Sequence, residues 1–224
     1  MPDLDFYALV SGPVPSPFED GFYYPAGSVG LTVTDLGMLR VPSGRLEACD
    51  PFVTLGNGPF FAVEPGDYPV RVTVADVSPT QDGAHLREAY LSVILADGEA
   101  ASVEEAQTAD GRKSGVFVDA GTVGFVDHDA VATAMPPDDL EWDCEVFESE
   151  EPDSWFDLLY DPEYYREGSA NIVMPLASNG ENVVISNSGW GDGVYPVVLT
   201  RDAAGAPLGL HIDLGVVGSF PEPQ

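Results

Sequence analysis

Glycine and proline interrupt this chain too often for long helices to form. The 224 residues include 24 glycines and 20 prolines, spread over the whole length. A proline inside a helix removes an amide donor and clashes with the preceding turn. Between these breaks lie short runs in which apolar residues alternate with polar or small ones, the period of a strand with one buried face. Val70, Val72 and Val74 alternate with Arg71 and Thr73, and Ala89, Leu91, Val93 and Leu95 with Glu88, Tyr90 and Ser92. Val197 to Thr200 and the alternating Leu208, Leu210, Ile212 and Leu214 flank Asp202-Ala203-Ala204-Gly205. That is the clearest hairpin, because its glycine supplies the left-handed residue a reversal needs. Two more hairpins are expected, turning at Asp35-Leu36-Gly37 and at Asp119-Ala120-Gly121. Helical signals are few: a capping box at Ser102 to Glu105, a cap at Asp127 or His128 for a helix through Ala134, and a cap at Asp153 for Ser154 to Tyr160. The expected fold is α+β, mainly antiparallel β, with short helical inserts.

The apolar share, 44%, is enough for a packed core. We expect one domain over residues 1–224. The N-terminus, Met1-Pro2-Asp3-Leu4-Asp5, has no positive region or long apolar run, so no signal peptide is expected. No run is long enough for a transmembrane helix, and the expected location is cytoplasmic. Cys49 and Cys144 lack metal-type spacing and read as two reduced thiols or one disulfide.

Charge narrows the choice of partner. Eight basic residues face 38 acidic ones, a formal net charge of −30. Nucleic acid and anionic membrane surfaces require basic patches and are not expected. Cations and basic proteins are the partners this field attracts, although salt adaptation or solubility alone also produces such acidity. Residues 138–163 hold twelve acidic residues and no basic one, with Trp142, Phe147, Trp155, Phe156 and Tyr160 among them. This segment reads as an ordered insert on the sheet, or as one that orders on a partner.

Four strings stand out as candidate sites. Asp119-Ala120-Gly121-Thr122 is either an ordinary Asp turn or a phosphate- or metal-holding turn of the kind found in actin-like sugar kinases. Ser188-Gly189-Trp190-Gly191-Asp192-Gly193 offers backbone amides for an anion and Asp192 for a hard cation, or else is a tight structural loop. Asp127-His128-Asp129 and His211-x-Asp213 place imidazole near carboxylate, which three histidines among 38 acids often do by chance. The common hydrolase, metalloprotease, Walker and Cys-x-x-Cys motifs are missing. A weak echo links Gly66-Asp67-Tyr68-Pro69-Val70 with Gly193-Val194-Tyr195-Pro196-Val197.

Taken in order, Val41-Pro42-Ser43-Gly44-Arg45-Leu46, Ala48-Cys49-Asp50-Pro51, Pro65 to Val70, Gly115 to Thr122, Glu181-Asn182, Ser188 to Gly193 and Tyr195-Pro196-Val197 resemble a bacterial family catalogued as domain of unknown function 4241. The resemblance spans roughly residues 28–214, supports one domain and implies no activity. Two functions are weighed. In the first, a non-enzymatic inhibitor- or immunity-like protein docks a basic partner through its acidic insert, with Trp142, Glu148, Glu150, Glu151 and Trp155 at the contact. In the second, a small-molecule-binding protein or hydrolytic enzyme, Asp50, Asp119, Asp127, Glu181 and Asp192 converge from Gly-containing turns on a divalent cation such as calcium or magnesium, with Asp119, Asp127 and Asp192 as the leading ligands. Arg45 would then orient an anion, and Thr122, Asn182, Ser188, Trp190 and Tyr195 complete the expected binding set.

Overall fold

Alternation at period two assembles three layers. The computed structural model describes residues 5–18, 22–111, 114–137, 139–149 and 153–218. Its strands are β1 (Gly12–Pro15), β2 (Ser28–Val41), β3 (Arg45–Cys49), β4 (Phe60–Ala62), β5 (Gly66–Asp76), β6 (Leu86–Ile94), β7 (Ser102–Glu105), β8 (Val116–Val118), β9 (Thr122–Asp127), β10 (Ser169–Val173), β11 (Asn182–Asn187), β12 (Gly193–Tyr195), β13 (Val197–Arg201) and β14 (Pro207–Asp213). The helices α1 (His128–Ala134) and α2 (Trp155–Tyr160) flank a 3₁₀ turn at Asp139–Glu141 and a π turn at Asp143–Phe147. A seven-stranded sheet runs β1-β2-β5-β6-β14-β13-β7, a five-stranded sheet runs β10-β11-β9-β3-β4, and β12 pairs with β8. All strand pairing is antiparallel, as the sequence predicts. No described helix is long and apolar enough to cross a membrane.

The five-stranded sheet is covered on both faces. Leu46, Ala48, Val123, Phe125 and Val184 join the core shared with the seven-stranded sheet. Their neighbours Cys49, Val126, Val183 and Ile185 face a second cluster built on Val131, Met135, Phe147, Trp155 and Leu159. The acidic insert is therefore the third layer, and its larger apolar groups form core. Cys49 is buried and Cys144 exposed, and they are not joined.

The hairpin at Asp202 forms as expected: β13 pairs with β14, and the Asp202 carboxylate accepts from the amides of Ala204 (2.9 Å) and Ala206 (2.8 Å). Asp127 caps α1, while α2 is capped one residue late, by Ser154. Three other expectations are corrected. The chain does not reverse at Asp35-Leu36-Gly37: β2 runs on through a bulge between Asp35 and Met38. Asn171 and Asn182 clamp that bulge by donating to the Leu36 carbonyl (2.7 Å) and the Met38 carbonyl (2.8 Å). Asp119 to Gly121 turns a corner, because β8 and β9 pair with different strands. Ser102–Glu105 is a strand: pairing along the β13 edge outweighs the capping signal.

The Gly-x-Tyr-Pro-Val echo is a shared local device. In each copy the Tyr hydroxyl donates to the carbonyl four residues upstream, Tyr68 to Glu64 and Tyr195 to Gly191. In each, the tyrosine ring folds back over the glycine, so that a Cβ there would meet it at an ordinary contact distance of 3.6 Å.

The outer face of the seven-stranded sheet hides a polar row. His211 sits between the Ser92 hydroxyl (2.8 Å) and the Thr200 hydroxyl (3.0 Å), under the ring of Phe6. Burial away from any compensating charge pushes the His211 imidazole down to about 3, and burial pushes the Asp213 carboxyl up to about 6. The two act with opposite sign. An unfolded chain releases His211 to its usual 6.5 and takes up a proton that the fold refuses, so stability falls as pH drops from 6.5 toward 3. Folded Asp213 keeps its proton above the usual 3.8, so its contribution falls as pH rises from 3.8 to about 6. Denaturant unfolding across pH 3.5–6.5 should therefore show a shallower acid loss in His211→Gln than in the parent, by up to about 1.4 kcal/mol per pH unit. Asp213→Asn should steepen the loss.

Candidate functional site

Two of the strings singled out in the sequence meet around one buried carboxylate. Asp50 ends the β3 segment with no exposed surface. Its oxygens accept from the amides of Asp119 (3.0 Å) and Ala120 (2.8 Å), the hydroxyl of Thr122 (2.7 Å) and the amide of Phe52 (3.3 Å). The Asp-x-Gly-Thr turn is thus a cradle of donors for an anion, and the anion is the protein's own. Ser188 joins the same corner through its amide, which donates to the Gly121 carbonyl at 2.9 Å.

The glycine-rich loop closes on itself. The Ser188 and Tyr195 hydroxyls both donate to the Gly191 carbonyl at 2.7 Å. Gly189 has a φ of 71°, and a Cβ there would lie 2.6 Å from the Glu88 carbonyl oxygen. Only glycine fits this approach of loop to strand. Trp190 stands 41% exposed beyond it, and Asp192 faces solvent.

The remaining candidates lie elsewhere. Arg45 pairs with Asp129 at 2.5 Å, away from Asp50, and its guanidinium lies 4.2 Å above the Phe60 ring. Asp127 is spent on the Ser43 amide and hydroxyl, both at 2.8 Å, and on capping α1. Glu181 accepts from the amides of Ser178 and Asn179, both at 2.9 Å, which draws its carboxyl down to about 2. Asn182 holds the β2 bulge through Arg40 N (3.0 Å) and the Met38 carbonyl. The expected five-carboxylate cation site does not form, because Asp50, Asp127 and Glu181 are each committed to local amides and hydroxyls. Among the described residues no group of three or more His, Cys, Asp or Glu is placed to hold a metal ion.

Sequence reasoning missed a carboxylate–imidazole pair. Glu47, fully buried on the insert-facing side of β3, accepts from the amides of Gly56 (2.8 Å) and Gly58 (3.1 Å) and binds Nδ1 of His128. Burial, outweighing these hydrogen bonds, pushes its carboxyl above the ordinary range. The His128 ring stacks on Phe60 and borders a cleft of ≈ 440 Å³ with Leu55, Asn57 and Trp142. Its sequence signal was weak, since Glu47 and His128 are 81 residues apart. A cavity of ≈ 790 Å³ lined by residues 6–10 and 13–15 includes none of the predicted site residues.

The insert also differs from expectation. Trp155 is 2% exposed and belongs to the core, and the Trp142 indole is half-buried with its N–H on the Pro136 carbonyl (2.9 Å). Neither ring offers a free anchor. Glu148 is exposed, whereas Glu150 and Glu151 lie outside the described residues. In the insert and just after it the exposed aromatics are instead Phe156, Tyr160, Tyr164 and Tyr165.

With this geometry in place, comparison adds a family. The family model described as "Protein of unknown function (DUF4241)" matches residues 39–212, most of the chain. The chain belongs to this family. In this DUF4241 protein the matched region begins within β2 and reaches β14, so it includes Asp50, the Asp-x-Gly-Thr turn and the glycine-rich loop. No curated protein and no solved structure gives a match.

Two stability predictions follow from the buried carboxylates. Asp50→Asn turns an amide group toward donors that need an acceptor and should cost about 3 kcal/mol, roughly 6–12 °C in melting temperature. His128→Ala removes the ring nitrogen that the buried Glu47 carboxyl bonds and should cost about 1–3 kcal/mol, the loss expected when a buried polar group is left short of a partner. A Glu47→Gln/His128→Ala double variant should lose less than the sum of the two single variants, as read in a denaturant double-mutant cycle.

Proposed function

We propose that this DUF4241 protein is a non-enzymatic binding domain that docks a basic protein through the outer face of its acidic insert. The observation that carries this reading is the way α2 divides its side chains. Trp155 and Leu159 point into the core, while Phe156 (47% exposed) and Tyr160 (41%) face out. The two exposed rings are 4.9 Å apart, and Tyr164 and Tyr165 form a second pair at 5.2 Å. Asp153, Asp157, Asp161, Glu163 and Glu167 are exposed along the same stretch, and none forms an ion pair with a described cation. Rings that resist desolvation little, set among carboxylates that attract cations, match the anchors and the steering field of a protein interface. The internal commitment of Asp50, Asp127 and Glu181 favours this reading over a cation-dependent enzyme.

The surface can be changed without touching the core. Deleting the insert would remove Trp155 and Leu159, so Phe156→Ala/Tyr160→Ala and Asp157→Lys/Asp161→Lys are the informative variants. Both should keep the parent melting temperature within a few degrees, since exposed substitutions change stability little. A basic protein that is captured at low salt and identified by mass spectrometry should bind the parent with an association rate that falls as salt rises. The charge-reversal variant should lower that rate, and the aromatic variant should speed dissociation. Equal rate constants for parent and both variants would overturn the proposal.

A further inference from the structure

Cations are scarce in this chain, and nearly every described one is matched to a carboxylate. Arg40 pairs with Asp67, Arg45 with Asp129, Arg71 with Asp35, Arg166 with Glu88 and Arg201 with Glu104. Arg87 is the described arginine with no ion pair, despite 38 acidic residues in the sequence. Its Nε is buried and has no hydrogen-bond partner, the one such side-chain atom among the described residues. A buried guanidinium N–H without an acceptor is costly, and its presence calls for a missing partner.

The surroundings indicate the chemistry of that partner. The Arg87 guanidinium lies 5.5 Å from the Trp190 ring centroid. Trp190 also meets Phe18 (6.3 Å), Tyr24 (5.9 Å) and His85 (6.3 Å) edge-on. Tyr24 stacks on Phe18 at 4.4 Å and, more loosely, on His85 at 6.3 Å. His85 and Arg87 are two residues apart at the start of β6 and so share a face of the strand. Three separate parts of the chain thus converge: Phe18 and Tyr24 from between β1 and β2, the start of β6 and the glycine-rich loop.

We infer that Arg87, His85 and the rings of Trp190, Tyr24 and Phe18 form a recognition site for a small aromatic monocarboxylate. A carboxylate matches the guanidinium fork and gives Nε the acceptor it lacks. One unpaired guanidinium balances one negative charge, and the field of a −30 chain works against anions of higher charge. The ring walls give a flat aromatic group the contacts that a bare anion cannot use. Trp190, 41% exposed beside the guanidinium, is the ring that a ligand must displace to reach Nε.

The test is isothermal titration of the full chain with benzoate, cyclohexanecarboxylate and inorganic phosphate at matched ionic strength. Benzoate should bind saturably with one site per chain, more tightly than cyclohexanecarboxylate, and phosphate should not saturate. Arg87→Gln should raise the benzoate dissociation constant at least about tenfold, the loss expected for one charge-assisted hydrogen bond. Arg87→Lys should recover only part of that loss, because ammonium lacks the fork. If Arg87→Gln fails to fold, Trp190→Leu at its exposed position takes its place and should likewise weaken benzoate. Absence of saturation by benzoate, equal binding of benzoate and phosphate, or benzoate affinity unchanged in the folded variants would overturn the assignment.

Discussion

The constraint on which the rest of this structure depends is the burial of the five-stranded sheet on both faces. Antiparallel sheets commonly leave one face to water. Here the seven-stranded sheet covers one side and the acidic insert covers the other. Polar residues at the ends and edges of β3, β9, β10 and β11 therefore have little water to turn to, and each must find a protein partner. Asp50 finds the amides of the turn before β9, Glu47 the loop after β3 and His128, and Asp127 the Ser43 corner and the first turn of α1. Asn171 and Asn182 find the carbonyls of the β2 bulge. The Asn171 and Asn182 contacts run from the five-stranded sheet to β2 of the seven-stranded sheet and so tie the two sheets together.

The same constraint explains which parts of the fold and the site were legible. Turn residues mark where the chain bends, and the bends at Asp35, Asp119 and Asp202 are all real. Whether a bend reverses the chain depends on what pairs beyond it. Only Asp202 joins two strands that pair with each other. The bulge at Asp35 depends on Asn171, more than a hundred residues away, and no local pattern carries that contact. The strings around Asp50, Asp119, Thr122 and Ser188 were recognisable as belonging together, and they do meet. Their role was hidden because a turn built to hold an anion looks the same in sequence whether the anion is a ligand or a side chain of the same protein.

The insert shows the opposite case, in which the signal was present. Trp155 and Leu159 are four apart, as are Phe156 and Tyr160, and helical periodicity places the pairs on different faces. Residue type alone favours Trp155 as an anchor, but periodicity together with the apolar neighbour Leu159 marks it as core. Arg87 was not legible in the sequence. In a chain with eight basic residues, the placement of each one is informative, and the sequence shows their number but not their partners.

The acidity itself can then be divided between fold and surface. The carboxylates that the core requires are few: Asp50, Glu47, Asp127 and Glu88 are buried and each has donors around it. Most of the others are exposed, and the ion pairs they form with arginine are solvent-facing contacts worth little to stability. A surface charge of this size works against the compact state through self-repulsion. Since the fold does not need it, the excess is explained by what lies outside the chain, either the ionic medium or a partner of opposite charge. The exposed rings of Phe156, Tyr160, Tyr164 and Tyr165 are what the proposed interface adds to acidity alone: a high-salt medium gives no reason to set paired aromatic rings among carboxylates, whereas a protein interface uses both.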